Sequence, residues 1–164
     1  MSDTLKAIEF LAEESLALDM RRWDDWLALY AVDAVFWMPS WKNENEQVGD
    51  PAGEMSLFYY ESRAALEDRV WRVRQQRSAA SNPLFRTAHS ASNVLALPGA
   101  SAGQRELRAA WTCHVFHPKR NTSSVFFGRY EYTVDTAGPR WQVKRKKIIL
   151  MNDYIPNLMD FYCC

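Results

Sequence analysis

The sequence predicts an α+β fold in which a strongly curved antiparallel sheet wraps around N-terminal helices and forms a cone with an open end. Three observations predict it. Apolar residues recur at helical spacing through the N-terminal segment, the second half divides into four long stretches of strand character, and turn residues separate those stretches at hairpin spacing. The chain has 164 residues, the usual span of one domain, so residues 1–164 are expected to form a single domain with a sizeable core.

Leu5, Ile8, Leu11, Ala12, Leu16 and Met20 lie at helical spacing and define a first helix, with Ser2 or Asp3 available as its N-cap. Trp23, Trp26, Leu27 and Tyr30 follow at i, i+3, i+4 and i+7 while Asp24 and Asp25 face away, so a short second helix must bury an aromatic face. Residues 34–39 read as a short strand ended by Pro39, which cannot donate to a ladder. Between residues 40 and 54 the composition turns polar and no period survives, which predicts a long loop reaching outward. A third helix starts at the N-cap Ser62, carries Leu66, Val70, Trp71 and Val73 along one side, and closes before Asn82-Pro83. Its Arg63, Arg69, Arg72, Arg74 and Arg77 read equally as a solvated basic face or as a contact for an acidic partner.

Strands are expected at 86–97, 105–117, 123–135 and 140–152, separated by Pro98-Gly99 to Gly103, by Pro118-Lys119-Arg120-Asn121 and by Ala137-Gly138-Pro139. Alternation is clearest where Phe127, Arg129, Glu131 and Thr133 oppose Phe126, Gly128, Tyr130, Tyr132 and Val134. In the last strand Lys147-Ile148 break the phase, which predicts a bulge there. The segment 151–162 is too apolar to dangle in water and should dock on its own cone or on a neighbouring subunit. Cys163 and Cys164 read as a frayed end.

Hydrophobic residues at 48 % and seven tryptophans give more bulky apolar surface than a core of this size needs, so another chain is expected to cover part of it. Twenty basic residues balance twenty acidic ones, so no broad field attracts a polyanion and nucleic acid is excluded as a partner. Strand alternation splits Lys144-Arg145-Lys146-Lys147 into two pairs, which predicts a solvated edge or an ion-paired rim. The N-terminus has no signal-peptide pattern, and no apolar run approaches the roughly 20 residues of a membrane span. Three cysteines form neither a disulfide framework nor a CxxC motif, and a reducing cytoplasm is the expected location.

His89, His114, His117, Cys113, Cys163 and Cys164 are a poor inventory for a redox centre. Cys113-His114-Val115-Phe116-His117 is the one local cluster, and on a strand Cys113 and His117 point to one face and His114 to the other. Ordinary hydrogen-bonded histidines are expected there rather than a metal site.

Taken in order, Asp24-Asp25-Trp26-Leu27-Ala28-Leu29-Tyr30, Phe36-Trp37-Met38-Pro39, Leu66-Glu67-Asp68-Arg69-Val70, Arg86-Thr87-Ala88-His89 with Ser92-Asn93-Val94, Phe127-Gly128-Arg129, and Trp141 with Lys146 form one pattern. It resembles the β (small) subunit of aromatic-ring-hydroxylating, Rieske non-heme iron dioxygenases over nearly the whole chain. Within that family, Phe36-Trp37-Met38-Pro39-Ser40-Trp41, Leu57-Phe58-Tyr59-Tyr60 and Asn152-Asp153-Tyr154 look most like oxygenases for benzoate-type acids, particularly anthranilate and other 2-substituted benzoates. Ala88 and Ala91 depart from the pattern, since relatives often carry larger or charged residues beside the histidine. The resemblance implies a nuclear-transport-factor-like (cystatin-like) cone and a hexamer of three α and three β chains with β–β contacts. It also implies that the partner α subunit holds the Rieske [2Fe-2S] cluster and a mononuclear Fe(II), while a separate reductase uses NADH. On this reading the chain carries no catalytic, cofactor or metal residue and serves as a structural small subunit in aromatic catabolism.

Trp37, Pro39 and Trp41, beside the polar loop, are candidates for a subunit interface, as are Arg69, Arg86 and His89. Each has a plainer reading: a core position for Trp37, internal ion pairs for the arginines, and a satisfied buried ring for His89. A rival function belongs to a different class. The same cone serves small isomerases and dehydratases, and Tyr30, Asp33 and His89, with Asp153, could supply an acid–base set. A ligand-binding module without chemistry is a third reading. The cone interior decides: a filling of Trp26, Phe36, Trp111 and Phe127 argues against enzymology, whereas a large cavity with convergent polar groups favours it.

Overall fold

The structure is a computed structural model that describes residues 2–77, 82–156 and 158–164. Its elements in chain order are α1 (Asp3–Asp19), α2 (Trp23–Ala28), β1 (Tyr30–Pro39), β2 (Ser56–Tyr60), α3 (Arg63–Arg74), β3 (Arg86–Pro98), β4 (Gln104–His117), β5 (Thr122–Asp135) and β6 (Gln142–Leu150). The strands form one unclosed sheet in the order β2-β1-β6-β5-β4-β3. β3 to β6 are the expected antiparallel meander. β1 lies parallel beside β6, and β2 folds back on β1. α1 packs against β3 and closes the inner side of the sheet.

Ser2 Oγ accepts the Leu5 amide at 3.3 Å and starts α1, and Ser62 Oγ does the same for α3 through the Ala65 amide. α3 ends at Arg74, earlier than expected; residues 78–81, within the expected end of that helix, lie outside the described residues. Its basic face is largely neutralised within the chain, by Arg63–Glu67, Arg72–Asp68, Arg74–Asp24 and Arg69–Asp160 pairs.

Four expectations are corrected. The second helix stops at Ala28 and β1 begins at Tyr30, because the Leu29 carbonyl accepts the Val143 amide at 2.8 Å and Tyr30 pairs with Val143. The sheet captures backbone that propensity assigns to a helix. β2 was not expected, since its five residues carry no clear alternation and all are half-buried. The bulge sits at Lys144, not at Lys147-Ile148: Thr133 pairs with Arg145 while Val134 pairs with Val143. The inserted residue lets both Val143 and Lys146 face inward.

The fourth correction concerns α1. Its core face is Ala7, Phe10, Leu11, Glu14, Ala17 and Leu18, while Leu5, Ile8 and Leu16 of the expected stripe are 45, 46 and 52 % exposed. α1 has two apolar faces, and the sheet takes the one whose glutamate finds a buried cation.

Only the end of the tail docks on its own cone; Met151, Tyr154 and Leu158 ahead of it stay exposed. A 3-10 turn at Phe161–Cys163 is buried, and Cys163 and Cys164 belong to the core rather than to a frayed end. Asp160 Oδ1 accepts the Phe161 amide at 2.8 Å and Arg69 Nη2 at 2.9 Å, which ties the tail to α3. Phe161 stacks on Trp26 at 5.0 Å and meets Trp23 edge-on at 5.7 Å. Much of the tryptophan surplus therefore packs within this chain.

Candidate functional site: a closed polar centre inside the cone

A buried, mutually hydrogen-bonded group of ionisable side chains lies where four elements meet inside the cone. Glu14 comes from the inner face of α1, Tyr30 from the start of β1, Tyr132 from β5, and Lys146 from β6 just past the bulge. Tyr132 Oη donates to Glu14 Oε2 at 2.6 Å, and Lys146 Nζ donates to Glu14 Oε1 at 3.0 Å. Tyr30 Oη donates to Glu14 Oε1 as well. The ammonium also sits 4.5 Å from the centre of the Tyr130 ring and within 5.5 Å of Phe36 and Tyr132.

Burial pushes the Glu14 carboxyl up, but the Lys146 ammonium and the two tyrosine hydroxyls outweigh it and hold the carboxyl below its ordinary range. Burial, reinforced by the Glu14 charge, raises Tyr30 and Tyr132 well above the usual phenol range, so both stay protonated as donors. Three donors therefore converge on one carboxylate inside an aromatic shell. Such a centre fixes geometry; a general base needs a free lone pair and access for a substrate.

Large side chains fill the cone around it. Trp26, Phe36 and Trp111, three of the four aromatics whose placement decides between the readings, are buried there, with Trp111 stacked on Tyr130 at 5.2 Å. Phe127 is not part of the filling: it is 46 % exposed on the outer face, because the inner position beside it belongs to Gly128. A Cβ at Gly128 would lie 1.8 Å from the Ile149 carbonyl oxygen, so only glycine lets β5 and β6 approach. A cleft of about 630 Å³ lies outside the cone between α2 and α3, where Leu27, Val70 and Trp71 meet Arg63 and Arg74.

The structure does not assemble the rival acid–base set. Tyr30 is bound to Glu14, Asp33 is exposed and pairs with Lys144, and Asp153 is exposed beyond the end of β6. His89 belongs to a separate constellation: its Nδ1 donates to Asp19 Oδ1 at 2.6 Å, its amide donates to Asp19 Oδ2 at 2.9 Å, and Thr87 Oγ1 donates to Asp19 at 2.8 Å. Burial pushes the Asp19 carboxyl up, but these bonds overcome it and leave it lowered.

The remaining candidates scatter. Trp37 is buried on the outer face of the sheet, beneath Arg145 and Lys147 at 5.4 and 4.9 Å, and Pro39 is buried next to it. Trp41 is half-buried and donates Nε1–H to the Leu150 carbonyl at 2.7 Å. Arg86 is exposed over the Phe116 ring. The basic run is not a uniform rim: Lys144 pairs with Asp33, but Lys146 lies in the core. Cys113 faces inward and His114 outward, so the donors of that cluster do not converge on one point and do not fit a Rieske or mononuclear iron centre.

Sequence reasoning missed Glu14, Lys146, Tyr132 and Asp19. One signal was available: Glu14 falls among Phe10, Leu11, Ala17 and Leu18 at helical spacing, and Lys146 stands two residues before Ile148 in a strand that ends in apolar residues.

The cone is filled by its own side chains around a closed ion pair, and comparison with known proteins places the chain in a family. Residues 13–157 match the family described as the ring hydroxylating beta subunit. The chain is 41 % identical over 154 residues to the toluate 1,2-dioxygenase subunit beta of Pseudomonas putida, covering 94 % of this chain and 93 % of that one. It is 31 % identical to the anthranilate 1,2-dioxygenase small subunit of Acinetobacter baylyi, covering 94 % of this chain and 93 % of that one. Among solved structures, the beta subunit of the benzoate 1,2-dioxygenase from Burkholderia mallei superposes with a TM-score of 0.81 at 36 % identity, covering 100 % of this chain and 99 % of that one. The chain belongs to the β-subunit family of ring-hydroxylating dioxygenases.

Proposed function

We propose that this chain is the structural small subunit of the terminal oxygenase component of a Rieske dioxygenase that dihydroxylates a benzoate-type acid. The observation that carries the reading is the closed Glu14–Lys146 centre in a cone filled by its own aromatics and tail, which leaves the chemistry to another chain. Relatives named for toluate, benzoate and anthranilate support the substrate class. The higher identity to the toluate subunit favours substituted benzoates at large over anthranilate in particular.

In this reading the large subunit holds the [2Fe-2S] cluster and the mononuclear Fe(II), a reductase delivers electrons from NADH, and three chains of each kind assemble in the cytoplasm. Among the described residues, no helix is long and apolar enough to cross a membrane. The large subunit docks on the rim around Trp41, where Met151 and Asp153 line a shallow cleft of about 340 Å³ and Phe127 and Val125 stand exposed beside it. Arg86 extends the contact along the outer face, and Trp37 and Pro39 are buried on the strand that leads to Trp41, while Arg69 and His89 act on the interface only through the fold, held by Asp160 and Asp19.

Co-expression with the large oxygenase subunit, followed by light-scattering mass and an iron assay, tests the proposal. A mass matching three chains of each kind, with iron present only when the large chain is present, is expected. A chain that stays apart from the large subunit overturns the reading.

A further inference from the structure

The outer face of the sheet carries a strip of positive charge without an ion-pair partner among the described residues. By register, Arg108, Glu131, Lys147, Trp37 and Tyr59 stand in one row across β4, β5, β6, β1 and β2. Glu131 sits opposite Lys147 but is held by Arg108 at 2.8 Å. Lys147 and Arg145, two residues apart on the same face of β6, lie 4.9 and 5.4 Å from the centre of the Trp37 ring. Their neighbours Lys144 and Lys146 pair with Asp33 and Glu14, whereas these two pair with no carboxylate among the described residues. The stems of both side chains cover the indole, which is only 3 % exposed, and leave the charged heads at the surface. Arg129, exposed opposite Ile149, extends the strip toward Phe127. Two cations over one ring repel each other, and the ring attracts each less strongly than a carboxylate would.

We propose that an acidic segment of the large oxygenase subunit, with at least two carboxylates, lies across β6 and β1 here and pairs with Arg145 and Lys147. The inference rests on the small-subunit reading above and names the chemistry of a contact which that reading leaves open. Three observations select this occupant. The strip adjoins the apolar rim: along the outer face of β6, Lys147 leads through Ile149 to Met151, which lines the cleft beside Trp41. A second copy of the chain has little to offer, since the four carboxylates of α2 and α3 each hold an arginine of their own chain. Zero net charge sets up no broad field, so a local acidic segment fits and a nucleic acid does not. Once the partner covers Trp37, water is excluded and each ion pair strengthens over a rigid aromatic floor, the arrangement that concentrates binding energy in a few residues.

The test is dilution of the co-purified oxygenase, followed by light-scattering mass at about 50 and about 500 mM NaCl, a range over which exposed charges become strongly screened. The concentration at half dissociation is expected to rise at least about tenfold with salt for the wild type. Arg145→Gln with Lys147→Gln should raise it at least about tenfold at low salt and flatten the salt dependence. Arg145→Lys with Lys147→Arg exchanges the heads, keeps both charges over Trp37, and should assemble like the wild type, which separates charge from packing. Arg72→Gln with Lys119→Gln removes the same charge from α3 and the β4–β5 turn and should leave dissociation unchanged. Wild-type assembly that ignores salt, equal dissociation of the wild type and the double glutamine variant, or an equal loss in the charge-keeping exchange or in the α3 and turn control overturns the proposal. So does salt-dependent self-association of the isolated chain that the double glutamine variant abolishes, since a second copy then occupies the strip. A wild-type chain that never joins the large subunit overturns the small-subunit reading itself, which the other outcomes leave standing.

Discussion

Lys146 Nζ donates to Glu14 Oε1 across 3.0 Å, with side-chain exposures of 1 and 3 %, so the cone is built around an ion pair shut off from water. Desolvation makes such a pair a weak net stabiliser, yet breaking it strands one charge in the core. Glu14→Gln should therefore destabilise the chain by about 3–5 kcal/mol. The double variant Glu14→Gln with Lys146→Met should recover most of that loss. Urea denaturation of the wild type and both variants measures the difference; a single variant as stable as the wild type would contradict the closed centre.

The same pair sets a pH dependence. The folded Glu14 carboxyl titrates below its ordinary value of 4.5, so its contribution is complete above that value and is lost as the pH falls through the folded value. Between about pH 5 and pH 3 the wild type should lose more stability than the Glu14→Gln, Lys146→Met double variant. Parallel melting curves against pH for the two proteins would count against the depressed carboxyl.

The centre also shows what the sequence made legible. The meander β3 to β6 was readable because each strand alternates over a long span between turn residues, and the two serine caps were readable because capping is local. β2 and the true core face of α1 were not, since both depend on a distant partner: β1 for the former, and Lys146, more than a hundred residues away, for the latter. The bulge that turns Lys146 inward involves one residue, and a break in alternation locates such a feature only approximately. His89 was legible as a histidine near the start of a strand with a plain reading as a carboxylate-satisfied ring, but its partner Asp19, at the far end of α1, is its neighbour only after folding.

Gly128 permits a contact that no other residue can make. Its hypothetical Cβ overlaps a backbone oxygen, not a flexible side chain, so the strands themselves must separate. Gly128→Ala is expected to cost at least about 3 kcal/mol, the upper end for overpacked cores, and to give a low yield of folded chain. A variant with an unchanged melting temperature would show that β5 and β6 can part without penalty.

The tail is a structural part of the cone. Tyr162 is buried 5.7 Å from Trp23 and within 3.4 Å of the Phe85 amide, so Tyr162→Ala should destabilise by about 3–5 kcal/mol. A chain ending after Asp153 loses the entire plug and should fail to form the oxygenase at normal yield. Assembly at full yield by such a chain would place the tail outside the folding unit.

The rim around Trp41 offers the sharpest separation of stability from assembly. Phe127 and Val125 are exposed, and Asn152 holds the strand end beside them by accepting the Phe127 amide at 2.9 Å and donating to the Val125 carbonyl at 2.8 Å. Phe127→Asp changes an outward side chain and should change stability by no more than a surface substitution does, about 0.5 kcal/mol or less. If the large subunit docks there, a buried unpaired carboxylate should weaken its binding by at least tenfold, read as loss of the large assembly at dilute concentration in light scattering. Arg108→Glu, on the outer face of β4 and paired with Glu131, serves as a comparison of similar exposure. Equal assembly of both variants with the large subunit would move the docking surface away from Trp41.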